Sequence, residues 1–160
     1  MIEISYKQFY FIIHTFVDDG CHNNTRVGFH VGLSRHLSLS PSQIVIFNKI
    51  ITNKGNTYNP TNGHVTAPCD GMYSFTASFL SDSKILQLYM LRNAERISAA
   101  YAGSVGSCSM TAVVMLTKGD TVMIRHLPFG VIGRIEAELS YFSGYLINWY
   151  MTIRVIFLRM

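Results

Sequence analysis

GNTYNPTNGHVTAPCDGMYSFTASFL, residues 55–80, holds the clearest strand of the chain directly behind its densest set of turns. From Met72 onward Tyr73, Phe75, Ala77 and Phe79 fall on one face and Met72, Ser74, Thr76 and Ser78 on the other, the period of two that a half-buried β-strand requires. Its aromatic content suits a pleated surface. Upstream, Asn59-Pro60, Asn62-Gly63, Pro68 and Asp70-Gly71 break the chain every few residues, so only a very short strand at residues 64–67 fits between the turns. Helix is excluded over the whole stretch.

Moving outward toward the N-terminus, residues 26–33 alternate, with Val27, Phe29, Val31 and Leu33 inward, and read as a first strand. His30 takes the opposite face and His36 the following loop, a spacing that fits no metal-ligand pair on one strand. Residues 37–43 read as a Ser-rich loop around Pro41. Residues 44–51 are apolar on both faces, which predicts a strand buried on both sides, between two sheets or between a sheet and a neighbouring subunit.

Toward the C-terminus, residues 84–91 form a strand with Leu86, Leu88 and Met90 alternating against Gln87 and Tyr89. Residues 95–101 form a weaker one, with Arg92-Asn93-Ala94 as the turn. Gly103-Ser104-Val105-Gly106-Ser107 lacks the Gly-Lys-Ser/Thr ending of a phosphate-binding loop and reads as a flexible connection. Residues 110–117 and 122–126 are strands joined by Lys118-Gly119-Asp120-Thr121, residues 127–138 the longest irregular loop, and residues 140–147 a closing strand. Eight to ten short strands, without one amphipathic helix, predict a sandwich or jelly roll.

The spacing Asn53-x-Gly55-x-x-Tyr58-Asn59, then Gly63-x-Val65-Thr66-x-Pro68, then Gly71-x-Tyr73-x-Phe75 resembles the signature of the complement component 1q globular domain family. Phe29 in the opening strand, Phe47 in the second, Gly119-Asp120 in a late turn, and Phe142 and Gly144 in the closing strand fit the same family in the same order. The resemblance covers residues 26–147. It implies an all-β, ten-stranded jelly-roll sandwich of the complement 1q and tumour necrosis factor-like type that trimerises, is secreted, and recognises other molecules without catalysis. Several family members bind calcium through clustered acids after the fifth strand; residues 97–119 here contain no Asp or Glu, so no metal and no cofactor is expected.

At 160 residues the chain is one domain. Charged residues make up only 14% against about 25% in an average domain, so surface must be buried against partners or part of the chain is not ordinary soluble domain. Together with the doubly apolar residues 44–51, this predicts a homotrimer. The 13 Lys and Arg stand singly and give a net charge of only +4, which is no footprint for nucleic acid.

Residues 1–25 read as an N-terminal leader. Lys7 precedes the apolar run Phe9–Val17, but Glu3, His14 and the missing small-residue cleavage site make it a degenerate signal peptide, and whether it works as one stays open. Asn23-Asn24-Thr25 makes Asn23 a glycosylation acceptor if the chain is secreted. Residues 148–160 form an apolar C-terminal tail outside the domain. With Arg154 in its middle it is shorter than the roughly 20 residues that span a bilayer, so no membrane span is expected. Cys21, Cys69 and Cys108 allow at most one internal pair. The family often pairs a Cys just before its central strand with one shortly after it; Cys69 holds the first place, but residues 83–93 contain no Cys.

No nucleophile with a positioned base, carboxylate pair or metal cluster is legible, and Glu136 and Glu138 share a strand face only as mutually repelling charges. A binding module fits instead, with recognition residues on loops at the ends of rigid strands. The resemblance implies a lectin-like pattern-recognition protein of innate immunity that binds microbial surface molecules, anionic glycans or damaged cells. The alternative is a secreted signalling ligand of the adipokine or cerebellin type that engages a cell-surface receptor. Candidate ligand-binding residues are Arg92, Arg96, Arg125, His126 and Arg134, all in turns, loops or strand ends, where a guanidinium can grip phosphate or carboxylate. The competing reading of these five is solubilising charge.

Overall fold

A computed structural model describes residues 26–82, 85–127 and 132–147. The leader, Cys21, Asn23 and the tail lie outside the described residues. Within them the chain is all-β: β1 (Gly28–Gly32), β2 (Leu37–Leu39), β3 (Lys49–Lys54), β4 (Val65–Thr66), β5 (Gly71–Ser81), β6 (Ile85–Arg92), β7 (Glu95–Gly103), β8 (Gly106–Leu116), β9 (Thr121–His126), β10 (Gly133–Ile135) and β11 (Tyr141–Ile147).

The strands form two sheets, all pairs described being antiparallel. The larger runs β8-β5-β11-β1-β3, with β10 and β2 continuing it beyond the end of β5. The smaller runs β4-β9-β6-β7. Between them lies the core, built by the predicted alternation: Tyr73, Phe75, Ala77 and Phe79 of β5 are buried, as are Leu86, Leu88 and Met90 of β6. Phe29, Phe47, Tyr58, Phe75 and Phe142 form its aromatic centre, with Phe29 and Phe142 edge-to-face at 4.8 Å.

The residues of the 53–63 motif explain themselves in this core. Asn53 brackets Tyr58, donating from Nδ2 to its carbonyl at 2.8 Å and accepting its N–H at Oδ1. Tyr58 then accepts the Phe47 N–H on its hydroxyl oxygen at 2.8 Å, and burial pushes the phenol up to about 12. Gly63 sits at φ +76, and a Cβ there would lie 2.8 Å from the Val45 carbonyl oxygen, so only glycine fits both the left-handed backbone and the approach.

Four expectations need correction. Residues 44–51 are not one strand: Val45 and Phe47 are buried ahead of β3, which begins only at Lys49, with Ile50 and Ile51 47% and 50% exposed at the edge within this one chain. Residues 37–43 are not wholly loop, because Leu37–Leu39 pairs with Gly133–Ile135, which also puts a strand into the supposed irregular residues 127–138. The connection read at 103–107 is shorter than expected; Gly103 pairs with Ile85 in the smaller sheet and Gly106 with Ser81 in the larger, so only Ser104 and Val105 carry the chain from one sheet to the other. At the turn after β6, Asn93 takes φ 53, and its side chain donates from Nδ2 to Asp120 Oδ1 and accepts the Thr121 N–H at Oδ1.

Candidate recognition site

Two outward faces differ sharply in charge. Strands β1, β3, β5, β8 and β11 contain no Asp or Glu, and their only Lys or Arg are Lys49 and Lys54 on the edge. Register places Val113, Ser74, Tyr145, Gly28 and Lys54 in one row across the outer face, and Thr111, Thr76, Ser143, His30 and Thr52 in the next. Val113, Met115 and Tyr145 are each more than half exposed. His30 stacks on Tyr141 at 5.2 Å and its Nδ1 meets Ser143 Oγ at 2.5 Å, a structural role that matches the reading of this histidine from sequence.

The smaller sheet carries the arginines. Arg125 on β9 faces Tyr89 on β6, and Tyr89 faces Ala99 on β7; one step along, Gln87 faces Tyr101. Arg96 places its guanidinium 5.0 Å from the Tyr89 ring centre. Neither Arg96 nor Arg125 makes an ion pair among the described residues, and Arg125 Nε is buried without a hydrogen-bond partner.

The other three candidates lie elsewhere. Arg92 donates from Nε and Nη2 to Asp120 Oδ2 at 3.1 and 2.8 Å, and Arg134 pairs with Asp82 at 3.3 Å. His126 does not present itself to solvent at all: it is 3% exposed, with Nδ1 3.2 Å from the Ser40 carbonyl oxygen. It ends β9 under the short strand β10, where a Cβ on Gly133 would lie 2.8 Å from its Nε2. The structure therefore brings together two of the five, and adds Tyr89 and Gln87, which alternation marked merely as the outer face of a strand, and Tyr101, which nothing in the sequence singled out.

Asp120 anchors the turn that Arg92 reaches. Its carboxylate accepts bonds from Asn93 Nδ2, the Thr117 N–H, Arg92 and the Thr117 hydroxyl. These, the Asn93 bond foremost, hold the carboxyl far below the usual carboxylate range against an opposing effect of burial. Cys69 is disulfide-bonded and Cys108 is a free thiol. The latter borders a cavity of about 400 Å³ lined by Ser78, Leu80, Ser107, Ser109 and Leu139, and burial raises its pKa, which keeps it protonated and unreactive. Among the described residues no three His, Cys, Asp or Glu side chains converge as a metal would need, and no helix is long and apolar enough to cross a membrane.

A family model of the C1q domain matches residues 28–147. The chain belongs to the C1q domain family. This C1q domain is 30% identical over 128 residues to human complement C1q tumor necrosis factor-related protein 3, covering 76% of this chain and 51% of that protein. To zebrafish Caprin-2 it is 32% identical over 111 residues, covering 66% of this chain and 12% of that protein. The chain thus spans about half the length of the first relative and a small part of the second. Among solved structures, the globular domain of zebrafish complement 1qA superposes with a TM-score of 0.59 at 22% identity, covering 76% of this chain and 98% of that one. The Eiger TNF structure from S. frugiperda gives 0.64 at 16% identity, covering 78% and 94%. Both establish the jelly-roll fold. Membership also places the chain among non-catalytic ligand and recognition proteins. Within the C1q pattern, Asn53, Tyr58, Gly63, Phe75, Asp120 and Phe142 are the bracket, clamp, turn and core positions already described.

Proposed function

We propose that this chain is a secreted recognition protein whose C1q domain assembles as a homotrimer through the outer face of its larger sheet. One observation carries the assembly: five adjacent strands without a single carboxylate, whose outer face exposes Val113, Met115 and Tyr145. A lone domain in water keeps such faces small, and a closed ring of identical copies buries the same surface on each. Lys49 and Lys54 fall at the edge of the face, where charge at an interface rim belongs. Val113→Glu should dissociate the assembly, because a carboxylate there would lose its water without gaining a cation. Sedimentation should show the variant as folded monomer; an unchanged assembly would place the interface elsewhere.

With the larger sheet so covered, recognition falls to the loops and the smaller sheet. The preferred partners are microbial surface molecules, anionic glycans or damaged cells, in the manner of an innate-immune pattern-recognition protein. The second reading, a signalling ligand for a cell-surface receptor, is favoured by the similarity to the tumor necrosis factor-related relative. Purified protein should bind lipopolysaccharide, peptidoglycan or whole bacteria, with affinity falling as salt rises. Saturable binding to host cells without any microbial binding would decide for the second reading.

A further inference from the structure

We propose that the outer face of the smaller sheet is a binding site for an acidic sugar, its carboxylate or sulfate held by Arg125 and Arg96 and its ring laid on Tyr101. The inference rests on the recognition reading above and is independent of the trimer.

Charge pairing selects these two arginines. Arg92 is neutralised by Asp120 and Arg134 faces Asp82. Strands β4, β6, β7 and β9 contain one acid, Glu95, which sits opposite Arg92 at the end of β7 and pairs with neither Arg96 nor Arg125. Both arginines adjoin Tyr89: Arg125 is its cross-strand neighbour, and Arg96 lies over its ring. Burying Arg125 Nε without an acceptor costs free energy that no described residue returns. A bound oxyanion would supply the missing counter-charge to the same guanidinium, in the planar fork geometry that suits carboxylate and sulfate.

The apolar half of the site adjoins the charged half. Tyr101 is 60% exposed. A Cβ on Gly103 would lie 3.3–3.7 Å from its ring and hydroxyl atoms, so the ring lies along β7 over a glycine and stays flat. Ala99, on the other side of it along the same face, adds no bulk. Gln87, facing Tyr101, offers an amide that already reaches Tyr89 Oη at 3.4 Å. Neighbouring strands lie about 4.8 Å apart and alternate residues about 7 Å apart; Tyr101 and Arg125 are two strands and two residues apart, a span one or two sugar rings would fill. A flat aromatic ring, an amide and unpaired guanidiniums together match a sugar bearing an anionic group better than a free ion, which would use only the arginines.

The test uses the full chain titrated with a sulfated, uronate-containing disaccharide from chondroitin, with lactose and inorganic sulfate as controls. The acidic disaccharide should bind at least about tenfold more tightly than either control. Arg125→Gln should weaken it about tenfold, the loss of one charge-assisted contact, and the more exposed Arg96→Gln should act in the same direction should Arg125→Gln fail to fold. Tyr101→Ser should weaken the disaccharide severalfold and leave inorganic sulfate unchanged. Equal binding of sulfate and disaccharide would reduce the site to one for free anions and overturn the sugar assignment. Undiminished binding by the folded arginine variants would overturn the site itself. Absence of disaccharide binding, in a protein that still binds lipopolysaccharide or a receptor, would overturn this inference while leaving the recognition reading in place.

Discussion

Phe142→Ala should destabilise the protein by about 3–5 kcal/mol, the usual cost of removing a fully buried phenylalanine and leaving a cavity behind. The ring is completely enclosed, and it touches Phe29 edge-to-face at 4.8 Å and Phe47, Phe75 and Tyr58 at 5.9–6.5 Å. These rings come from both ends of the chain and from the region between, so a cavity here loosens β1, β5 and β11 together. The converse change one turn of the pleat away should also be costly. A Cβ on Gly144 would stand 2.5 Å from Phe75 Cδ1 and 2.6 Å from Phe29 Cε1, so Gly144→Ala forces two interlocked rings apart at about 1–3 kcal/mol. Urea denaturation of both variants checks the pair. A loss below about 1 kcal/mol for Phe142→Ala would show that the aromatic centre is not the keystone of the sandwich.

Acid should loosen the turn that ties β8 to β9, and Asp120 should be the reason. Its carboxyl titrates in the folded protein below the value of about 3.9 it has in an unfolded chain, chiefly through the Asn93 bond and then the Thr117 N–H. A depressed folded pKa means that the stabilisation is fully present above the unfolded value and is lost as pH falls below about 4 toward the folded one. Asp120→Asn removes the charge but keeps the shape. Melting temperatures from pH 7 to pH 2 should therefore place the variant below the native protein at neutral pH, with the gap closing in acid. Parallel pH profiles would show that the Asn93, Thr117 and Arg92 bonds do not depend on the charge.

What the sequence disclosed follows the range of its interactions. Alternation along β5 and β6 needs only neighbouring residues, and it placed Tyr73, Phe75, Leu86 and Leu88 inward correctly. The turns at Gly63 and Gly119 were legible because glycine and asparagine mark left-handed backbone locally. The short partners β2 and β10 were not, since three-residue strands joined across nearly a hundred positions leave no local period. Residues 44–51 misled because an apolar run does not show where strand pairing begins: only residues from Lys49 onward enter a strand, at the sheet edge. For the candidate site, sequence found arginines but not their company: whether Arg125 faces Tyr89 or a carboxylate depends on register across β6 and β9. His126 carried the same ambiguity, for a strand end is exposed unless another strand covers it, and here β10 does.

The proposed interface between copies of the chain would account at once for its low charge and for the exposed apolar side chains on the outer face of the larger sheet. Static light scattering on the purified protein at micromolar concentration tests that claim most directly. The predicted result is a single species of three times the 18.0 kDa chain mass, unchanged on moderate dilution. A stable, soluble species of one chain mass would contradict it.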